Sequence, residues 1–223
     1  MKKLIAIATA FTFGMLVTTA NAGMGVGVSA AYLDIQADGT EVDSNSSTLS
    51  TKGGASNSVG IGSVFAEYSF DAFPLTIGFD WIPMSADVSK NVQQRTDTET
   101  SITDTATTTA TTRIQKAQAE IDNHMSLYVE VPVWNSLYLK AGLVEVDVNT
   151  LENLGTGSSY GNVSIDGTQF GAGVKGPIGG GNLFMKVEAL YTDYDEIKLT
   201  SGTNTITADL DTTQVKASLG FAF

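Results

Sequence analysis

The feature that most constrains the fold is a period-two alternation of apolar and polar residues, which is clearest at the end of the chain. There, Val215, Ala217, Leu219, Phe221 and Phe223 would share one face of a β-strand, and the residues between them would share the other. The alternation predicts eight strands: Gly25–Ile35, Ser58–Phe70, Leu75–Pro83, Ile121–Val131, Leu137–Val146, Val163–Gly176, Leu183–Tyr194 and Ile206–Phe223. Periodicity alone leaves open whether the apolar face packs on a soluble core or faces lipid.

The connections between these strands decide between the two, because short and long ones alternate strictly. Short, turn-like segments lie at Asp71–Phe73, Pro132–Asn135 and Pro177–Gly181, whereas longer polar segments lie at Ala37–Asn57, Lys90–Thr112, Thr150–Asn162 and Thr200–Thr205. A membrane barrel requires this sorting, and a soluble sandwich has no reason for it. The sequence therefore predicts an all-β fold, an eight-stranded antiparallel up-and-down transmembrane β-barrel.

The first 22 residues have the pattern of an export signal. Lys2 and Lys3 precede an apolar stretch from Leu4 to Val17, and Ala20-Asn21-Ala22 is a small-residue cleavage site. The apolar stretch is shorter than the roughly 20 residues that span a bilayer. We therefore expect residues 1–22 to be removed as a signal peptide on export through the periplasm, and residues 23–223 to form one barrel domain in the outer membrane of a Gram-negative cell.

Composition narrows the function classes. Without Lys2 and Lys3 the 12 basic residues fall to ten against 24 acidic ones, so the net charge moves from −12 to −14. Such an acidic surface argues against binding nucleic acid through its phosphates. Cysteine is absent, which excludes disulfides and thiolate metal sites. The stability of the fold must come from backbone pairing and packing.

If lipid surrounds the strands, the alternation also assigns their two faces. The outward rows from Gly60 to Phe70 and from Leu75 to Trp81 carry no charge. The inward rows carry four acidic and four basic residues: Glu67, Asp80, Glu130 and Glu188 with Lys140, Lys175, Lys186 and Lys216. Buried charges persist when they are paired, and an eight-stranded barrel is just wide enough for side chains to fill. We therefore predict a lumen that salt bridges close, with no open pore.

The combined features resemble those of the OmpA/OmpX-type outer-membrane β-barrel superfamily over nearly all of the chain after residue 22. They are the export signal, eight amphipathic strands, an inward glutamate in the Glu67–Tyr68 pair, and a last strand that ends in phenylalanine. The resemblance implies that Phe221 and Phe223 form the signal that the barrel assembly machinery reads. It also implies a location among outer-membrane lipid and lipopolysaccharide. Aromatic residues that would form an interface girdle gather at the short-turn end: Tyr68, Phe70, Phe73, Trp134, Phe221 and Phe223.

The long connections are the candidate carriers of function. The Thr-rich segment Lys90–Thr112 is ordinarily a solvated loop or a strand extension, and its functional interpretation is adhesion or use as a phage receptor. The acidic run Asp193–Glu196 matches no calcium loop, so we predict no metal site and no cofactor. The sequence favours a non-enzymatic structural or surface-interaction barrel whose acidic, Thr-rich loops face an extracellular ligand or phage.

Two other function classes remain open. His124, the only histidine, and Ser126 lie near Glu145 on the next strand, and a serine, a histidine and an acid resemble the set used by an outer-membrane lipid A deacylase. The alternation, however, turns His124 and Ser126 inward and Glu145 outward, whereas a lipid A-modifying hydrolase must act at the lipid-facing surface. We therefore predict no catalytic residue. The second alternative is a narrow pore for small solutes.

Overall fold

Twelve β-strands make up most of the computed structural model, which describes residues 23–43, 50–102, 108–151, 159–202 and 204–223. The predicted signal peptide, residues 1–22, lies outside the described residues. The strands are β1 Met24–Asp43, β2 Ser50–Phe70, β3 Leu75–Ile82, β4 Ala86–Asp87, β5 Gln93–Ile102, β6 Thr108–Ala117, β7 Ala119–Trp134, β8 Leu137–Thr150, β9 Val163–Pro177, β10 Leu183–Tyr194, β11 Ile197–Ser201 and β12 Asn204–Ala222. Within those ranges, no helix is long and apolar enough to cross a membrane.

Eight of these strands close into a ring. Neighbours pair in the order β1, β2, β3, β7, β8, β9, β10 and β12. The ring closes where β12 pairs antiparallel with β1, from Gly25 opposite Ala222 to Asp43 opposite Asn204. Each ring strand thus pairs with its predecessor in the chain, which is the up-and-down order. The predicted eight-stranded antiparallel barrel is confirmed.

The two rims of the ring differ in their connections. At the turn end, short segments join β2 to β3, β7 to β8 and β9 to β10, and the Phe223 amide donates to the Met24 carbonyl at 2.9 Å. The predicted turn Pro132–Asn135 begins too early in the chain, because β7 continues to Trp134. A register shift between Pro132 and Trp134 accommodates the proline, which cannot donate to the ladder.

At the opposite rim, the loop end, the predicted loops are largely strand. β1 and β2 stay paired up to Val42 opposite Ser50, so most of the predicted loop Ala37–Asn57 is wrong. β11 and β12 stay paired up to Ser201 opposite Asn204, so most of the predicted loop Thr200–Thr205 is wrong too. Within Lys90–Thr112 and just beyond it, β5 and β6 form a separate two-stranded sheet. Strands whose two faces are both polar lack the alternation on which the sequence prediction relied.

The alternation itself predicted the two faces of the ring. In β10, exposed and buried residues alternate along all twelve positions. Val28, Leu143, Phe170 and Val215 are more than half exposed on the outer surface. We call this outward apolar row, from the turn end up to Tyr32 of β1 and the equivalent residues of the other strands, the apolar band. Met125 belongs to the row but is buried, beside a bulge that begins at Asp122.

Candidate functional site

The eight predicted lumen charges form one chain of ion pairs in which acids and bases alternate. The N–O distances between successive members are 2.5 to 3.8 Å. The order is Asp80, Lys216, Glu188, Lys140, Glu130, Lys186, Glu67 and Lys175. We call this set the ionic chain. Its members come from seven of the eight ring strands, so it ties the ring together across the lumen.

Burial and aromatic contacts fix the ionic chain in place. The side chains of Lys140, Lys186, Glu67 and Glu188 are 1% exposed or less. The Lys140 Nζ lies 3.6 Å from the centroid of the Tyr128 ring, and the Tyr128 hydroxyl donates to Glu67 at 3.4 Å. A cation over an aromatic face gains most when water is excluded. Only Lys175 is substantially exposed among the members, and it lines a cavity of about 530 Å³ at the turn end.

A layer of uncharged polar side chains lies on the loop-end side of the ionic chain. Gln169 Nε2 donates to Thr192 Oγ1 at 3.1 Å, and both residues are buried. Ser29 and Ser218 bond each other across the β1–β12 pair at 2.9 Å, level with the ionic chain itself, because Ser218 lies opposite Lys186. Ser63 donates to Asp80 at 3.1 Å, which links this layer to the ionic chain. The lumen therefore changes gradually from charged to neutral along its axis.

Nearer the loop end, the lumen holds an apolar core that the sequence interpretation missed. Its members include Leu33, Ile35, Val144, Val146 and Leu210, all buried. The signal was present, since the apolar residues of β8 change phase after Leu143 and continue as Val144, Val146 and Val148 on the inward face. A reversed phase places the polar residues outside, where the strand leaves the apolar band. The lumen therefore contains a second, apolar layer beside the predicted salt bridges.

The candidate hydrolase residues are not arranged for lipid access. His124 and Ser126 pair with Ile82 and Asp80 of β3, which places them on the inward face as predicted. Ser126 is 2% exposed. Glu145 is on the outward row as predicted, but it is only 3% exposed, opposite Met125 and Asp166. The His124 ring packs edge to face on Tyr194, with centroids 6.2 Å apart. The register thus separates the faces of the serine and the acid.

The predicted aromatic girdle lies at the turn end. Phe221 and Phe223 pack edge to face with centroids 5.2 Å apart, and Tyr68 and Phe70 do so at 5.0 Å. Phe73 and Trp134 are largely exposed beside the turns. Amphipathic rings at this position are typical of a membrane interface. Tyr68 is next to buried Glu67 on β2 and so lies on the outward row, and within this pair only the glutamate points into the lumen.

Beyond the apolar band, carboxylates face each other on adjacent strands. The direct cross-strand partners are Asp38 with Asp209, Asp193 with Asp211, Glu145 with Asp166, Asp122 with Asp147, and Asp87 with Glu120. We call these ten residues the acidic rim. Like charges in direct opposition destabilise a sheet. Partial burial, together with the carboxylates of Asp193, Asp38 and Asp34, raises the pKa of Asp211.

The described part of the chain contains no candidate metal site. In the ranges that the structure describes, no group of three or more His, Asp or Glu side chains is placed to hold a metal ion. Within the acidic run Asp193–Glu196, the three carboxylates are exposed and Tyr194 is buried.

Comparisons with solved structures return outer-membrane barrels of low sequence identity. Neisserial surface protein A is 13% identical with a TM-score of 0.43, and the match covers 92% of this chain and 100% of that one. Ail of Yersinia pestis, solved with the heparin analogue sucrose octasulfate, is 12% identical with a TM-score of 0.40, over 89% of this chain and 99% of that one. OprG of Pseudomonas aeruginosa is 9% identical with a TM-score of 0.48, over 91% and 96%. No curated protein matches the chain.

A match to a family model identifies the family of this chain. The model for the outer membrane protein beta-barrel domain matches residues 4–223, which is nearly the whole chain. Its outer-membrane location agrees with the apolar band and the aromatic girdle on the ring. The chain belongs to the outer membrane protein beta-barrel domain family.

Proposed function

We propose that this protein is a non-enzymatic structural and surface-interaction barrel of the outer membrane, with a closed lumen. The observation that carries the proposal is the extension of the barrel at the loop end. β1 continues for eleven residues past Tyr32, which is roughly 35 Å of strand at about 3.3 Å per residue. With β2, β12 and β11 it makes a four-stranded sheet beyond the apolar band.

The filled lumen supports the closed state. The ionic chain occupies the half near the turn end, and the apolar core occupies the half near the loop end. A solute passing along the axis would have to separate buried ion pairs and then cross an apolar layer. Both steps are costly, because a buried charge that loses its partner strongly destabilises the folded protein.

The surface chemistry limits the extracellular partner. The acidic rim and the net charge, which is −12 for the full chain and more negative without residues 1–22, repel polyanions, so a neutral or cationic ligand, or a phage protein of that character, fits the loop end better. At the turn end, Phe221 and Phe223 are proposed as the signal for the barrel assembly machinery. Lipid and lipopolysaccharide would contact the apolar band.

Single cysteines test the orientation of the barrel in the membrane and the exposure of its loop end, because the chain has no cysteine of its own. Thr51→Cys lies on the loop-end sheet, and Gly180→Cys lies in a turn at the other rim. We expect a membrane-impermeant maleimide to label the first and spare the second on intact cells. Lysis should expose both cysteines equally. Labelling of Gly180→Cys on intact cells would contradict the proposed orientation.

The closed lumen and the absence of hydrolysis have separate tests. In planar bilayers we expect no steady conductance, and a persistent open channel would refute the closed lumen. Mass spectrometry of lipid A from cells with wild-type protein, and with His124→Ala, should show the same acyl chains. Loss of an acyl chain only when His124 is intact would establish the hydrolase instead.

A further inference from the structure

The barrel wall contains a seam between β2 and β3 in the half near the loop end. The two strands pair only from Val64 opposite Trp81 to Phe70 opposite Leu75. Beyond Val64, the described ladder of β2 has β1 as its only partner. Pro83 follows the end of β3, and the short β4 pairs with β7. Because proline interrupts the ladder and cannot donate, the strand leaves β2 at this point.

Side chains, not a backbone ladder, bridge the seam. The Gly62 amide lies 3.3 Å from the Met84 Sδ, and Asn57 Nδ2 donates to the Asp87 carbonyl at 2.8 Å. A thioether sulfur is a weak acceptor, so the first contact holds the strands loosely. Gly62 pairs with Ala30 of the apolar band, so the seam opens toward lipid. Met84 is 49% exposed there.

A cavity lies directly behind the seam. Its lining includes Ile61 on one side of the seam and Ile82, Met84 and Ala86 on the other, and it reaches Gln169 in the polar layer. Two polar atoms of this lining, His124 Nδ1 and Gln169 Oε1, are buried without a hydrogen-bond partner among the described residues. A buried polar atom of this kind costs stability unless a ligand or water satisfies it.

Size and lining together indicate the occupant. The cavity is about 20 Å³, which admits little more than one water molecule while Met84 is in place. Methionine has three rotatable bonds and repacks readily, so its outward rotation would join the cavity to the lipid phase. A ligand that fits would donate a hydrogen bond to Gln169 Oε1 and place an apolar group against Ile61 and Ile82.

We propose that the seam is an entrance from the bilayer, with the Met84 side chain as its stopper, and that the cavity binds the hydroxyl end of a small amphiphile with an alkyl chain. The hydroxyl donates to Gln169 Oε1 beside His124, and the alkyl chain takes the space that Met84 vacates. The route ends at the cavity, so it requires no opening of the ionic chain. It is therefore independent of the proposed surface role.

The only histidine of the chain reports on this cavity. Untagged protein with ¹³C-labelled histidine, folded in lipid nanodiscs, gives one imidazole signal, from His124. We expect 1-hexanol to shift this signal in a saturable way, and hexane at equal membrane concentration to produce no saturable shift. Met84→Trp should remove the saturation by blocking the seam. Gln169→Met, which keeps the size but removes the acceptor, should weaken the apparent affinity about tenfold.

The matched control is Met185→Trp, an exposed methionine of the apolar band on β10, away from the seam. It should titrate like the wild type. Retention of the heat-dependent gel shift of folded barrels verifies that each variant is folded. A linear shift, or the same curve for Met84→Trp and Met185→Trp, would overturn the proposal. A signal that no alcohol changes would do so too, and would leave one bound water as the occupant.

Discussion

At the scale of single residues, inward glycines make room for inward aromatic rings. A Cβ on Gly78 would lie 2.1 Å from the Tyr128 ring, and one on Gly220 would lie 2.3 Å from the Phe184 ring. Phe65 and Tyr138 rest in the same way on Gly27 and Gly173. Rings laid over glycines are a known device for fixing strand register. Glycine is required at these positions because an aromatic ring approaches the backbone closely, and not because the chain turns there.

Replacing Gly78 with alanine should therefore destabilise the barrel. Overpacking of a filled interior costs about 1–3 kcal/mol, because the Tyr128 ring is held among buried neighbours and has little freedom to move. Urea unfolding from lipid vesicles measures the change. Gly176→Ala is the control, since a Cβ there meets nothing within 4 Å, and it should cost much less. Equal costs for the two variants would disprove the close fit.

The ionic chain makes a second prediction at this scale. Lys186 contacts both Glu67 and Glu130, so Lys186→Met leaves two buried carboxylates with fewer partners. Breaking a buried pair from one side costs about 3–5 kcal/mol. The free energy of unfolding should fall by that order, and adding Glu130→Gln should restore part of it. Lys198→Met, at an exposed site on β11, serves as the control. A wild-type stability for Lys186→Met would contradict the energetic role of the chain.

At the scale of elements, electrostatic repulsion within the acidic rim opposes the pairing of the extended strands. β10 and β12 place Asp193 directly opposite Asp211, and β1 and β12 place Asp38 opposite Asp209. The main-chain ladder continues through these pairs, so its hydrogen bonds outweigh the repulsion. The projecting sheet should therefore be less stable than the membrane-embedded strands, and more sensitive to pH and salt.

Asp211→Asn should stabilise the protein at neutral pH by roughly 0.2–1 kcal/mol, the scale of a cross-strand pair. The folded pKa of Asp211 is raised above its ordinary value of 3.8, so its ionisation opposes folding. The penalty is full above the raised pKa and disappears as the pH falls below the ordinary value. The gain of the variant should follow the same pH course in urea titrations. Glu196→Gln, at an exposed site between β10 and β11 and outside both ladders, should gain less.

At the scale of the whole molecule, the start of β1 and the end of β12 meet at the turn end, where the ring closes. Phe223 donates its amide to Met24, and its ring packs on Phe221 at the edge of the apolar band. The predicted assembly signal therefore lies at the end of the last strand of the ring. The proposed recognition signal thus coincides with the point where the ring closes.

Deletion of Phe223 should lower the amount of folded barrel in the outer membrane more than it lowers the stability of the barrel that does fold. Its ring is half exposed, so little packing is lost. The heat-dependent gel shift of outer-membrane fractions measures the yield, and urea unfolding of refolded protein measures the stability. Phe73→Ser, in an exposed turn, is the control. A deletion that changes stability and yield alike would remove the case for a recognition role.

The sequence determined the number of strands in the ring, their pairing order, the apolar face toward lipid and the charged residues that point into the lumen. These follow from period-two alternation and turn chemistry, which act within a few residues. The tertiary structure decided which lysine meets which carboxylate, since Lys186 reaches Glu130 only at the stagger that closure of the ring imposes. It also decided the strands beyond the apolar band, the apolar core and the seam at Met84. In each case, distant strands decide whether a face meets water, lipid or another side chain across the lumen. The local sequence pattern does not encode the position of those strands.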